Sequence, residues 1–396
     1  MKQRLYNVFY RYVKLNMIAS LMTFCSYLLL LLYYKIAKLF VSKGKANRVN
    51  INESTVKQAE LFLCKKNNYQ KKEIILKNMD VDERVTLSII MPAYNVEKYI
   101  KESVESVINQ KTNFNYELII INDGSTDNTE SIINSINNPV IKMINQENQG
   151  LSGARNTGLN HAVGEYIFFI DSDDVLEDGS IDKLLNAIIN NDADISVGGY
   201  YLFYDDTNTK QFKPGENDVI ENDTGEFLLS PGFAWGKVFK RELFYNVRFP
   251  IGAWFEDTII CSVIYRKCKK MVRIPDCIYG YRQNWAGISK QSKKSYKALD
   301  HIWVMQDAIE QAHKNGLEDD TYLYELCFGH FSTFLYRRIR ELDEETKENA
   351  FIVACGMMDG FYKKGIERNK KGIDKDIEIA FKTGNYKLWK LASFVV

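Results

Sequence analysis

The stretch EYIFFIDSDDVLEDG, residues 165–179, runs from an apolar segment, Tyr166–Ile170, straight into Asp171, Ser172, Asp173 and Asp174. A short apolar run of this kind reads as a buried strand. Three carboxylates at its exit repel one another and need a positive charge to settle against. Acids one residue apart can meet one hard cation. Mg²⁺ or Mn²⁺ prefers oxygen ligands and commonly shares its shell with substrate phosphates. Such an ion would relieve the crowding and stabilise a diphosphate leaving group. Asp171 and Asp173 are therefore the metal candidates. The competing reading makes the acids turn and cap residues before a helix at Ser180, which suits Asp178 well.

The same texture extends on both sides. TLSIIMP (86–92) is an apolar run stopped by Pro, and YELIIIND (116–123), VIKMIN (140–145) and DISVGGYYLF (194–203) are further strands. Helices are predicted between them. One covers 96–110, on the stripe Val96, Ile100, Val104, Val107 and Ile108; another covers 128–136, capped by Thr126; two more cover 150–162 and 180–189. This alternation implies βαβ units and a mostly parallel sheet, in which ligands bind beyond the carboxyl ends of the strands. PAYN, NDGSTD and DSDD follow the first, second and fourth strands, so they point into one crevice. Beyond about residue 290 the pattern is helical, with no internal repeat.

The 396 residues are 45% hydrophobic and 26% charged, ordinary for a globular protein. A net charge of +1 offers no electrostatic case for binding nucleic acid. Seven cysteines, an odd number with no C-x-x-C pair, argue against a metal or disulfide framework and for a reducing, cytosol-facing location. Leu15–Tyr34 carries no charge and reaches the ~20 residues that cross a bilayer. Lys35 follows it in place of a signal-peptide cleavage site. Basic residues on both sides leave the orientation open. Leu5, Val8, Phe9 and Val13 recur at helical spacing beside those bases, which favours an interfacial helix leading into a membrane-embedded one. The alternative is a buried helix packed on the soluble domain. The expected organisation is a membrane-associated segment (1–46), a helical linker (47–84), an α/β domain (85–290) and a helical C-terminal region (291–396).

Several other residues suit a nucleotide crevice. Pro92 ends the first strand; Tyr94 could stack on a base and Asn95 could bond a ribose or base edge, although an ordinary strand–helix turn explains both. Asp123, at the second strand's end, can accept from a base or sugar. Gly150 and Gly153 permit close backbone approach, and Arg155 could meet phosphate or pair with a structural acid. Neither the Rossmann nor the P-loop glycine pattern is matched. Glu256 and Asp257 fall at the start of a helix with the apolar face Ile259, Ile260, Val263 and Ile264. The helix dipole alone accounts for acids there; the functional alternative is that Asp257 is a general base. Trp235 and Trp254 are read as core.

Taken in order, TLSIIMPAYNVEKYIKESVESVINQ, ELIIINDGSTDNT, NQGLSGARNTGLNHAVGEYIFFIDSDD, WGKVFKRELF and FEDTII resemble family 2 glycosyltransferases of the kind that build bacterial capsules, exopolysaccharides and O-antigens. The resemblance covers about residues 85–290. It implies a GT-A fold, a nucleotide-sugar donor that is usually UDP-linked, and a divalent metal. It places Tyr94 on the base, Asn95 in the nucleotide pocket, Asp123 on base or ribose and Arg155 near the phosphates. The D-x-D motif is Asp171-Ser172-Asp173, with Asp171 toward ribose and metal and Asp173 on the metal. The E-D pair is Glu256-Asp257, with Asp257 as base. Asn122 departs from the aspartate common there. YGYRQNWAGIS (279–289) resembles the family's closing loop, from which Arg282 could reach the diphosphate.

The scheme that follows is one inverting displacement: Asp257 takes a hydroxyl proton from a lipid-linked or growing glycan at the inner membrane surface while the nucleoside diphosphate departs. Two rivals are a sugar nucleotidyltransferase, whose Gly-rich phosphate loop is missing after the first strand, and a non-catalytic membrane scaffold, against which both acid pairs argue.

Overall fold

The computed structural model describes residues 16–42, 48–72, 81–205, 207–227, 230–283 and 295–395. The chain divides into two compact units: a helical one of Met1–Asn68, Gln291–Ile302 and Asp319–Val396, and a sheet-bearing one of Tyr69–Lys290 and Trp303–Glu318.

The helical unit opens with α1 (Asn16–Ser42) and α2 (Glu53–Asn67). Asn52 starts α2 with a reciprocal cap: its Oδ1 accepts the Thr55 N–H at 3.0 Å, and Thr55 Oγ1 accepts the Asn52 N–H at 3.0 Å.

In the sheet unit, β1 (Leu87–Ala93), α3 (Ile100–Ile108), β2 (Tyr116–Asn122), α4 (Thr129–Ser135), β3 (Ile141–Asn145), α5 (Gly150–His161) and β4 (Tyr166–Phe169) alternate as the sequence implies. Then come β5 (Val175–Leu176), α6 (Ser180–Asn190), β6 (Ile195–Tyr204), β7 (Thr207–Lys213), β8 (Asp218–Glu221), β9 (Lys237–Lys240) and β10 (Lys270–Arg282). The strand order is β3-β2-β1-β4-β9-β6-β10-β5, with β7 on β6 and β8 on β10. Strands β1 to β4 pair in parallel, whereas β9 lies antiparallel between β4 and β6. The C-terminal half is thus mixed. Its strands are either very short, as β5, β8 and β9 are, or mix polar and apolar residues, as the 13-residue β10 does, and none of β5, β7, β8, β9 or β10 is predicted from the sequence.

Alternate residues of β1 serve opposite cores. Ile89 and Met91 pack with Val104 of α3 and Leu184 of α6, while Ile90 packs with Ala154 and Leu159 of α5 and with Phe169. Burial on both faces explains the unbroken apolar runs. The register sets Ala93 beside Asn122 and Ile90 beside Phe169, so the loops after β1, β2 and β4 emerge at one edge. One expectation fails. Thr126 does not cap the second helix; Asp127 Oδ1 accepts the Thr129 N–H at 3.0 Å, and the Thr126 N–H goes to Asn95 Oδ1 at 2.8 Å.

From Asp300–Lys314 (α7) onward every element is helical: α8 (Thr321–Gly329), α9 (Leu335–Ile339), α10 (Glu344–Lys363), α11 (Gly372–Thr383) and α12 (Tyr386–Val395). In the helical unit, buried Trp389 packs on Phe351, with ring centroids 5.3 Å apart. Val56 of α2 lies where a Cβ on Gly356 would come within 2.8 Å.

Close seating of α5 on β1 depends on Gly158, where a Cβ would lie 2.3 Å from Ile90 Cγ2. Gly158→Ala is expected to cost about 1–3 kcal/mol in urea unfolding through overpacking, and with it the placement of α5. An unchanged midpoint would contradict this packing.

Candidate active site

The site assembles at the strand-end edge from side chains held by backbone detail. After β1, Tyr94 is 49% exposed and Asn95 adopts φ +49°, a conformation that Asn tolerates. Asn95 ties two loops together: its N–H donates to Ser125 Oγ at 3.1 Å while its Oδ1 takes the Thr126 N–H. Asn122 takes the Ser125 N–H on Oδ1 at 3.1 Å and donates through Nδ2 to Asn145 at 2.9 Å, a structural use for the residue that departs from the family pattern. Asp123 is buried, 2% exposed, and its Oδ1 accepts from Gln146 Nε2 at 2.6 Å and the Gln149 N–H at 2.8 Å. Burial pushes this carboxyl upward, and those donors oppose the shift. Pro92 is buried within β1.

The three strand-exit acids have different surroundings. Asp174 is fully buried; Tyr279 Oη donates to its Oδ2 at 2.6 Å and the Arg282 N–H to its Oδ1 at 2.8 Å. Tyr279 Oη also accepts the Asp171 N–H at 3.1 Å, so one hydroxyl fixes the turn. Asp171 Oδ1 accepts from Arg155 Nη2 at 2.8 Å. Among the described residues, no side chain donates to the Asp173 carboxylate. Burial, reinforced by the charge of Asp171, pushes it up to about 6.

Arg155, on α5, joins the first acid pair to the second. It is 2% exposed, and its Nη1 meets Glu256 Oε1 at 2.6 Å while Nη2 meets Asp171. Its Cζ lies 5.4 Å from the Phe249 ring centroid. Both acids hold the guanidinium above its usual range against its burial. Glu256 and Asp257 follow Phe255, whose φ of +69° is rare for a bulky residue and the kind of strain that clusters at functional sites. Ile260–Ile264, just beyond, forms a π-helical turn.

Asp257 is half-buried, in the electrostatic field of Arg155 and of Lys237. Lys237 on β9 is buried, and its Nζ donates to the carbonyls of Phe233 and Trp235 at 2.9 and 3.3 Å. Burial pulls it down to about 7, opposed by Cys261 and Asp257. Lys237 also lines a cavity of about 230 Å³ with Tyr200, Phe233, Trp235 and the Gly198–Gly199 backbone. Trp235 is buried and stacks on Tyr279 at 4.6 Å and Phe233 at 4.5 Å, whereas Trp254 is half-exposed.

Arg282 is buried in β10. It pairs with Glu102 at 2.6 Å and with Asp205, and its Nε donates to the Asp173 carbonyl at 2.7 Å. It therefore braces the backbone of the acid turn. Residues 284–289 of the expected closing loop lie outside the described residues. The sequence reading missed Asp174, Tyr279 and Lys237. Only a lone lysine inside the apolar run of WGKVF hinted at the last.

Among the described residues, no group of three or more His, Cys, Asp or Glu side chains stands ready to hold a metal. A divalent ion here would rest on Asp171 and Asp173 and complete its shell with phosphate oxygens and water, the usual manner for Mg²⁺. The residues fit such an ion, because Asp173 is a carboxylate to which no described side chain donates, beside a second one whose charge pushes it upward.

Residues 88–251 match the family model "Glycosyl transferase family 2". Glycosyltransferase GlyA of Streptococcus pneumoniae is 36% identical over 227 residues, 54% of this chain but only 32% of GlyA. GlyG of the same organism is 31% identical over 252 residues, 59% of this chain and 82% of GlyG. The chain belongs to the family 2 glycosyltransferases. Its fold is of the GT-A type: Staphylococcus aureus TarS 1–349, crystallised with UDP-GlcNAc, gives a TM-score of 0.61 over 78% of this chain and 91% of that one, at 19% identity, a likeness of fold.

Two predictions follow from the site's electrostatics. Tyr279→Phe removes the donor to Asp174 and the acceptor for the Asp171 N–H, and should destabilise the protein by about 1–3 kcal/mol in urea unfolding; an unchanged stability would refute the hydroxyl's role. Lys237 has a folded-state pKa near 7, below its unfolded 10.5. Between those values the unfolded chain binds the extra proton, so stability rises with pH. From pH 7 to 9 the wild type should gain stability relative to Lys237→Met, and parallel curves would contradict a depressed lysine.

Proposed function

We propose that this chain transfers a sugar from a UDP-linked donor to a hydroxyl of a lipid-linked or growing cell-surface glycan, with inversion at the anomeric carbon. The observation that carries the reading is Arg155, which brings the D-x-D acid Asp171 and the E-D acid Glu256 to one point.

In this reading Tyr94 supplies an exposed ring for the uracil, and Asp123, with the loop of Gln146 and Gln149 fixed around it, marks the inner wall of the base pocket. Asn95 acts mainly by holding the loops after β1 and β2 together. A Mn²⁺ or Mg²⁺ ion on Asp171 and Asp173 supplies charge neutralisation for the diphosphate. Asp257 accepts the acceptor hydroxyl's proton; that oxygen forms the new bond to the anomeric carbon, and the bond to the diphosphate breaks on the opposite face. Arg155 and Glu256 set the distance between base and donor, so that placing the two reactants supplies much of the acceleration. The aromatic cavity beside Lys237 offers flat apolar faces for a sugar ring of the acceptor. The apolar helix α1 attaches the enzyme to the cytoplasmic face of the inner membrane, where such acceptors are made.

A panel of nucleotide sugars, assayed for release of nucleoside diphosphate with and without Mn²⁺, tests the reading. UDP should appear with one UDP-sugar, and only with the metal. Asp257→Asn should lower kcat by about 10²–10⁴-fold, as expected for loss of a general base, with little change in donor KM. Pyrophosphate release, or full activity in Asp257→Asn, would overturn it.

A further inference from the structure

We infer that α1 is a monotopic anchor that lies along the membrane surface, with one face on the protein and the opposite face in lipid, and does not cross the bilayer. The inference rests on the membrane attachment proposed above and adds its geometry. By length and composition Thr23–Val41 could span. What it touches argues otherwise. Thr23 and Tyr34 are buried, and α1 packs on α12. Tyr34 Oη donates to Asp376 at 2.5 Å, Lys38 pairs with the same carboxylate at 2.5 Å, and the Val41 carbonyl accepts from Asn385 Nδ2 at 3.3 Å. Buried or bonded positions thus run from residue 23 to 41, about 27 Å of helix at 1.5 Å per residue. That is nearly the ~30 Å thickness of the hydrocarbon layer.

A spanning α1 would have to take its partners into the hydrocarbon with it. Its partner side includes α11, which carries Asp374, Lys375, Asp376, Glu378 and Lys382, and α12, which carries Lys387 and Lys390. Each charge in the bilayer core costs several kcal/mol, so the helical unit cannot follow.

The other side of α1 is apolar except for Lys35, whose long stem can carry its charge to the headgroups. Phe24, Leu28, Leu29, Leu32, Leu39 and Phe40 are all exposed, Leu29 at 67% and Phe40 at 77%. At 100° per residue these six fall within about half of the helix circumference, opposite Thr23 and Tyr34. Phe394 of α12 is exposed as well. An apolar face of this extent is far beyond the scattered hydrophobics of an ordinary surface. Lys2, Arg4, Arg11 and Lys14 before the helix, and Lys43 and Lys45 after it, complement anionic headgroups at both ends. Basic residues at both ends leave a spanning helix without a preferred direction, and they are what an in-plane helix needs.

The test uses the full-length protein in bacterial cells, with Asn16→Cys and Ser42→Cys made separately and labelled by a membrane-impermeant maleimide. The protein should sediment with membranes. In intact spheroplasts neither variant should label above the wild-type background, and both should label after lysis. Sedimentation with one end labelled from outside would overturn the in-plane geometry while leaving membrane attachment standing. A soluble wild type would overturn the attachment itself. Leu32→Glu/Phe40→Glu, on the outer face and away from the chemistry, should lower the membrane-bound to soluble ratio at least about tenfold; an unchanged ratio would show that this face does not meet lipid.

Discussion

A single buried guanidinium organises the strand-end edge of this molecule. Arg155 holds an acid from the end of β4 with one nitrogen and an acid from the turn before the Ile260–Ile264 helix with the other. Burying a charged group costs several kcal/mol unless it is paired, so the arginine and its two acids must assemble together or not at all. This converts two segments 85 residues apart in sequence into one constellation. Loss of the arginine would leave Asp171 and Glu256 to repel each other in a poorly solvated place. The strained Phe255 turn is tolerable because the same ion pairs fix the residue that follows it.

The crowded acids at residues 171–174 make sense once their partners are separated. Asp174 is consumed by the fold, through Tyr279 and the Arg282 backbone. Asp171 is half-neutralised by Arg155. Among the described residues no side chain donates to Asp173, and burial with the charge of Asp171 raises its proton affinity against the opposing charge of Arg282. A buried carboxyl of this kind is a stability liability, the general cost of a preformed site, and in the proposed reaction it is the place for the metal. The brace from Arg282 to the Asp173 carbonyl holds that backbone while its side chain waits for a partner.

Much of this was readable in the sequence, for identifiable reasons. Strands β1, β2 and β4 are buried on both faces and so appear as unbroken apolar runs, and their alternation with helices located the edge where ligands bind. Asp171, Asp173, Glu256 and Asp257 were recognisable from strand and helix ends. Partners were not. That Asp174 belongs to Tyr279, more than a hundred residues on, follows only from the pairing of β10 with β5 and β6. Arg155 was read as meeting phosphate or pairing with a structural acid; that it engages two acids at once depends on the side-chain direction set by α5 against β1. Strands β7 to β10 carry mixed polar and apolar residues, and no periodicity marks them; β9 is buried between β4 and β6 but is only four residues long, with a lysine at each end. For Leu15–Tyr34, composition described a helix able to cross a bilayer, and only the polar contacts of Tyr34 and Lys38 separate crossing from lying flat.

The central claim is that Arg155 couples the two acid pairs, and a double-mutant cycle on turnover with Arg155→Met and Glu256→Gln measures that coupling directly. The account predicts strong non-additivity: the double variant should be scarcely slower than Arg155→Met alone, a coupling energy of about 2 kcal/mol or more, at the upper end of the range for residues in contact. If the two losses simply add, Arg155 and Glu256 act independently, and the ion-pair bridge is not what aligns the site.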